Sequence, residues 1–202
     1  MDAGDAFAVE LNMNKRRFTM EKANGLIDML RIRRLYMKAF PAYERKHFGV
    51  IMDMRRRGKT DVWCFKRDGR FAGFASTING DGVVLIDYLA VEEKQRGKGT
   101  GSALLRALKE CYKGSGIFVE IESVYEEAGN LSERMRRKRF YEANGMEELH
   151  VLADVFETPM ELLGWKCRLD FEGYYAFYRD NYSAWAAEHL KELPFPTKEK
   201  IE

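Results

Sequence analysis

The sequence predicts an α/β protein built around a mixed β-sheet, and three observations carry that reading. Three strand-like runs between Val62 and Val91 follow one another too closely for anything but an antiparallel meander. A strand–helix–strand crossover then spans Val83 to Glu122. Segments of helical period stand before, between and after these strands.

The elements follow in order. The first twenty residues are weakly patterned and are expected to fray. Leu26, Met29, Ile32, Tyr36 and Ala39 recur at helical spacing until Pro41 stops the run. A second helix is expected from Tyr43 to Arg57, with Phe48, Ile51 and Met54 on one face and Gly58 as its stop. Strands at Val62–Phe65 and Phe71–Ser76 flank Asp68-Gly69, a two-residue hairpin signal. The turn Asn79-Gly80-Asp81-Gly82 leads into Val83–Val91, the most β-prone stretch of the chain.

A glycine-rich segment precedes a helix bearing Leu104, Leu105, Leu108 and Cys111, and Gly114-Ser115-Gly116 turns into the strand Ile117–Glu122. Asn130, with Glu133 three residues on, reads as a capped helix start, and Asn144-Gly145 as that helix's end. Strands around Leu149–Phe156 and Met160–Lys166 are joined through Glu157-Thr158-Pro159. Asp170 to Leu193 reads as one final helix with seven aromatics between Phe171 and Trp185. Those aromatics fit a helix packed on a sheet face, with an acceptor-pocket wall or a dimer contact as the second reading.

Of 202 residues, 34 are Lys or Arg and 32 are Asp or Glu, a formal charge of +2. That balance argues against a nucleic-acid partner. No apolar run approaches a membrane span, since Val83-Val84-Leu85-Ile86 stops at Asp87, and Met1–Asp5 lacks the layout of a signal peptide. Cys64, Cys111 and Cys167 are odd in number and widely spaced, which suits reduced thiols in the cytoplasm. His47, His150 and His189 lack metal spacing, so no metal site is expected. With no repeat, linker or low-complexity tract, residues 1–202 read as a single domain, with an N-terminal segment 1–20 and a C-terminal aromatic helix over 168–195.

The informative segment is Val91-Glu92-Glu93-Lys94-Gln95-Arg96-Gly97-Lys98-Gly99-Thr100-Gly101-Ser102. Alternate glycines let a backbone approach a ligand closely, and the helix that begins directly afterwards presents unpaired amides at the positive end of its dipole. Together these make a phosphate cradle. A Walker loop is excluded, because neither Gly97-Lys98 nor Gly99-Thr100 completes its pattern. A dinucleotide fingerprint fails at Ser102. It would also place its glycines directly after a first parallel strand, although Glu120 lies where a ribose-binding acid would.

Arg96-Gly97-Lys98-Gly99-Thr100-Gly101, following an apolar strand that ends Leu89-Ala90-Val91, resembles the Arg/Gln-x-x-Gly-x-Gly/Ala signature of the GNAT N-acetyltransferase superfamily. Downstream, Arg139-Phe140-Tyr141-Glu142-Ala143-Asn144-Gly145-Met146 is similar to that family's Tyr–Gly helix end. The resemblance spans roughly Leu26 to Lys166. It departs from the pattern at Met146, usually phenylalanine, and at Arg134, often asparagine. The implied fold is a mostly antiparallel mixed sheet with a central, splayed parallel strand pair, Val83–Val91 and Ile117–Glu122, flanked by helices.

The resemblance implies acetyl-CoA as co-substrate, no metal, and a small-molecule or peptide amine as acceptor, attacked in a direct ternary complex. The amides of Arg96, Gly97, Lys98, Gly99, Thr100, Gly101 and Ser102 would hold the pyrophosphate. The Leu89, Ala90 and Val91 edge would pair with the pantetheine arm, and an amide near Val91 would polarise the thioester carbonyl. A lysine-like amine titrates near 10.4, so freeing it at neutral pH costs roughly 4.6 kcal/mol, and a base is useful. Strand alternation puts Phe118, Glu120 and Glu122 on one face. Glu120 is the first candidate base, then Glu122, then Asp87, which interrupts an apolar strand; each could equally be an ion-paired strand-end carboxylate. Tyr141 is the family's candidate acid for the departing thiolate, against a packed core tyrosine. Arg55-Arg56-Arg57 reads as a solvated helix end, and Arg136-Arg137-Lys138-Arg139 as cations pointing in different directions, one within reach of a CoA phosphate. The readings from other classes are a catalytically silent acyl-CoA-binding or interaction module and, third, an NAD-type protein.

Overall fold

A computed structural model of the chain describes residues 8–13, 16–42, 44–126 and 128–196. Met1–Asp5 and Tyr43, on which two of the expectations above fall, lie outside the described residues. Among the described residues nine strands are hydrogen-bonded in the order β1-β2-β3-β4-β5-β6-β8-β7-β9, numbered along the chain. The chain divides into two compact units, one of residues 1–79 and 86–113, the other of 80–85 and 114–202.

The first unit begins with a hairpin of β1 (Ala8–Met13) and β2 (Arg16–Lys22), whose inner edge pairs antiparallel with β3 (Thr60–Arg67). Residues expected to fray are therefore paired strands. Phe18 and Met20 are buried at period two, a signal diluted by the charged residues around them. β3 turns into β4 (Arg70–Asn79) through Asp68 and Gly69 at φ 50° and 75°, the left-handed pair of a type I′ hairpin. Helices α1 (Leu26–Ala39) and α2 (Phe48–Arg56) cover one face of these strands. There the Tyr36 ring meets Phe40, Phe48, Phe74 and Tyr88, and its hydroxyl donates to the Lys46 carbonyl at 2.9 Å. α2 starts at Phe48, five residues later than expected, because the His47 imidazole caps it by accepting from the Gly49 amide at 3.2 Å. β5 (Val83–Val91) contributes its later residues to this unit. A short 3-10 turn over Glu93–Gln95 and α3 (Thr100–Cys111) complete it.

The second unit holds the start of β5 and β6 (Gly116–Glu122), where Gly82 O accepts from Gly116 N at 3.0 Å. The two strands thus enter side by side, as a parallel pair does. α4 (Leu131–Ala143) follows, then β7 (Glu147–Val155) and β8 (Thr158–Trp165). β8 lies antiparallel between β6 and β7. Its turn with β7 consists of Phe156 and Glu157, at φ 50° and 66°, one position before the expected one and without a glycine to announce it. The expected single helix over 168–195 is instead α5 (Phe171–Asn181), α6 (Ala184–Glu188) and β9 (Leu190–Leu193), which pairs with β7. The break falls at Ser183, whose extended backbone and side chain cap α6 through the Ala186 amide at 3.0 Å. α5 sends Tyr174 and Phe177 against Phe118 of β6. Among the described residues no helix is long and apolar enough to cross a membrane.

Candidate functional site

The glycine turn lies in the first unit. Gly97 and Gly99 take φ 69° and 74°, and a Cβ at either would meet nothing within 4 Å. Backbone conformation, not crowding, therefore selects glycine there. Gly99 is the N-cap of α3 and contributes no side-chain cap, and Ala103 makes the first amide bond back into the helix, to Gly99 O at 3.0 Å. The amides of Thr100, Gly101 and Ser102 stand ahead of the helical ladder with the positive end of the dipole behind them. The Arg96 amide differs from expectation: it donates to Glu93 O at 3.1 Å, so the cradle begins after it.

Beneath the turn, the guanidinium of Arg67 donates to Gln95 Oε1 at 2.9 Å and to the buried Thr100 hydroxyl at 3.3 Å. Arg67 is a prop that sequence reasoning missed, since a lone arginine at a strand end carries no signal. The Leu89–Val91 edge is held close against β4: Glu92 N donates to Ala72 O at 2.9 Å, and a Cβ on Gly73 would stand 2.6 Å from Ala90 O. A rigid cradle whose side chains are absent where a ligand would approach fits a diphosphate. Asp87, also in this unit, pairs with Lys46 Nζ at 2.6 Å, so this candidate base faces a cation.

The other candidates are in the second unit. Glu120 and Glu122 leave the same strand for partners on different helices. Each oxygen of Glu120 accepts from an α5 tyrosine, Tyr174 at 2.8 Å and Tyr178 at 3.1 Å. Glu122 is buried and meets Arg134 at 2.9 Å and Arg137 at 3.2 Å. Arg134, where the family often has asparagine, also donates to Ser123 O at 2.9 Å and to Asn130 Oδ1 at 2.8 Å. Asn130 stands at the N-cap of α4 but makes no side-chain cap bond, so the capping box expected there does not form. Tyr141 is buried on α4, and among the described residues nothing hydrogen-bonds its hydroxyl. Burial pushes that phenol up to about 12 against the pull of Arg137, so it holds its proton at neutral pH.

Sequence reasoning also missed a buried ion network. Lys138 does not point to solvent. Its ammonium meets Glu161 at 2.6 Å and Glu148, while Tyr125 donates to Glu148 at 2.7 Å and the Val124 amide to Glu161 at 3.2 Å. Burial pushes Glu161 up to about 6 despite the ammonium. Burial also works to raise Glu148, but the hydrogen bonds from Lys138 and Tyr125 bring it below the ordinary carboxylate value. Burial holds the thiols of Cys64, Cys111 and Cys167 up at about 12, 11 and 11, so none is a thiolate nucleophile. Among the described residues no group of His, Cys, Asp and Glu could hold a metal ion.

A mixed sheet flanked by helices, with a glycine turn opening the helix after its meander, is the fold of solved acetyltransferase structures. Residues 58–148 match the family model described as an acetyltransferase (GNAT) domain. No curated protein matches the chain in sequence. Solved structures share its fold. One is a Bacteroides thetaiotaomicron protein described as a GNAT-family acetyltransferase, with TM-score 0.62 and 21% identity over 80% of this chain and 93% of that one. Another is an aminoglycoside 6'-N-acetyltransferase complexed with coenzyme A, at 0.57 and 13% over 72% and 95%. A third is Arabidopsis thaliana Naa50 in complex with the bisubstrate analogue CoA-Ac-MVNAL, at 0.54 and 16% over 73% and 97%.

Proposed function

We propose that this protein transfers the acetyl group of acetyl-CoA to a primary amine by direct attack in a ternary complex, with residues 1–202 acting as one cytoplasmic acetyltransferase domain. The observation that carries the proposal is the pair of left-handed glycines, Gly97 and Gly99, leading into an α3 that no side chain caps. In this reading the amides of Gly97 to Ser102 hold the pyrophosphate, with the Arg96 side chain beside them. The Leu89–Val91 edge binds the pantetheine arm, and an amide near Val91 stabilises the developing oxyanion.

Tyr141 is the acid. Its free, protonated hydroxyl donates to the sulfur as the thioester breaks. Glu120 is the base of first choice, because its oxygens are met by the phenols of Tyr174 and Tyr178, whereas Glu122 and Asp87 are engaged in ion pairs with Arg134, Arg137 and Lys46. The atoms balance: the amine nitrogen forms the new C–N bond, the C–S bond breaks, the amine's proton goes to carboxylate or water, and sulfur leaves as a thiol. The acceptor is an amine of a small molecule or of a peptide.

The test is calorimetric titration with acetyl-CoA, CoA and NAD, followed by thiol release over a panel of amines. Binding of CoA but not NAD is expected. Tyr141→Phe is expected to lower kcat by on the order of 100-fold or more with acetyl-CoA affinity intact, and Glu120→Gln to do the same with a changed pH profile. Binding of NAD in place of CoA would falsify the reading. CoA binding without thiol release from any amine would leave a silent acyl-CoA-binding module.

A further inference from the structure

A cavity of about 380 Å³ opens between the N-terminal hairpin and the glycine turn, lined by Met13, Arg16, Phe18, Arg67, Lys98 and Gly99. Half of this lining comes from β1 and β2, outside the segment that matches the acetyltransferase domain. Its charge is one-sided. Arg16 lies 3.7 Å and Arg67 4.0 Å from the same oxygen of Asp68, and among the described residues this is the only carboxylate with which either arginine pairs. Lys98 meets none.

Arg67 is only 6% exposed, lies over the Phe18 ring at 5.7 Å, and spends its hydrogen bonds on the neutral Gln95 and Thr100. A guanidinium taken out of water with half-shared compensation raises the local potential, and low-dielectric walls strengthen it. The floor of Met13 and Phe18 is apolar, and the volume falls in the range of small-ligand sites, larger than a bare anion needs.

We infer that this cavity is a site for a phosphate monoester carried on an apolar or ring-bearing body, held by Arg16 and Lys98 at its rim and by the field of Arg67 beneath. The inference rests in part on the acetyltransferase reading, because CoA itself carries such a group on its adenosine. A separate phosphorylated nucleoside offers the same chemistry. Arg16 reaches the site from a strand end and is exposed, so its replacement spares the core.

The experiment compares CoA with 3'-dephospho-CoA by calorimetry, and follows thermal midpoints in inorganic phosphate and in adenosine 3',5'-bisphosphate. Wild type, Arg16→Gln and Lys98→Gln are each measured. If CoA supplies the phosphate, wild type binds CoA on the order of tenfold more tightly than dephospho-CoA. Both substitutions then remove most of that preference, and Arg16→Gln leaves dephospho-CoA binding unchanged. If a separate ligand supplies it, CoA and dephospho-CoA bind alike, and the bisphosphate raises the midpoint of CoA-saturated wild type but not of either variant. Either pattern upholds the site. Identical behaviour of wild type and both variants in every titration overturns it while leaving acetyl transfer intact. Wild type that binds neither CoA nor dephospho-CoA removes the proposed function, and the bisphosphate arm still decides the cavity.

Discussion

At the start of α3 the chemistry resides in the backbone, whereas on β6, α4 and β8 it resides in side chains that choose their partners. The turn needs only two left-handed residues and a helix behind them, and Gly97 and Gly99 supply these at positions where a Cβ would meet nothing within 4 Å. Glu120, Glu122, Glu148 and Glu161 instead draw on Tyr174, Tyr178, Arg134, Arg137, Lys138 and Tyr125, which come from α5, α4 and the segment after β6. A backbone site tolerates change in everything except its dihedral angles. A buried side-chain network tolerates little, because each member compensates another's desolvation.

The sharpest break of this contrast is Lys138→Met. It leaves Glu161, fully buried, and Glu148 without their ammonium, and removing one partner of a buried ion pair costs about 3–5 kcal/mol. Urea unfolding should show that loss. Combining it with Glu148→Gln and Glu161→Leu should recover most of the stability, since an uncharged replacement of the whole network relieves the stranded charges. A loss under about 1 kcal/mol for the single variant would show that water already solvates the network, and the contrast would fail.

Glu161 also makes stability depend on pH. Its folded pKa of about 6 lies above the roughly 4.3 of an unfolded glutamate, so the native state binds the proton more tightly. A raised acid contributes stability below the unfolded value and loses it as pH rises through about 6. Between pH 4 and 7.5 wild type should therefore lose about 2 kcal/mol relative to Glu161→Gln. Glu148 depends on pH in the opposite sense and shares a hydrogen bond with Glu161, so Glu148→Gln measured alongside separates its contribution. A difference that stays flat with pH refutes the assignment.

The same contrast separates what was legible in the amino-acid sequence from what was not. The meander, the crossover and the glycine turn could be read because period-two patterning and Asp68-Gly69, Gly97 and Gly99 report backbone states that few other residues adopt. The β1–β2 hairpin escaped because Glu10, Asn12 and Arg17 interrupt a short apolar alternation, so that only pairing with β3 reveals Phe18 and Met20 as core. The final helix was over-extended because Tyr182 and Trp185 continue the helical period across Ser183, where a local cap outweighs that pattern. Within the site, Tyr141 and the carboxylates could be nominated by residue type. Their roles depend on which cation or phenol stands opposite, as Lys46 does for Asp87, and that is set by tertiary packing across dozens of residues.

The smallest effect discriminates among the glycines themselves. Gly99→Ala forces a Cβ into a left-handed conformation with no clash, which costs about 1–2 kcal/mol and no more. Gly101 lies in the first turn of α3, where alanine is the better helix former, so Gly101→Ala should stabilise the free protein by about 0.4–1 kcal/mol. If the third glycine of the turn exists to let a diphosphate approach the helix amides, that more stable variant will bind CoA more weakly than wild type. Thermal midpoints measured with and without CoA separate the two contributions in one experiment. A Gly101→Ala protein that is both more stable and unchanged in CoA affinity would confine the cradle to Gly97 and Gly99, and with it the backbone half of the contrast to two residues.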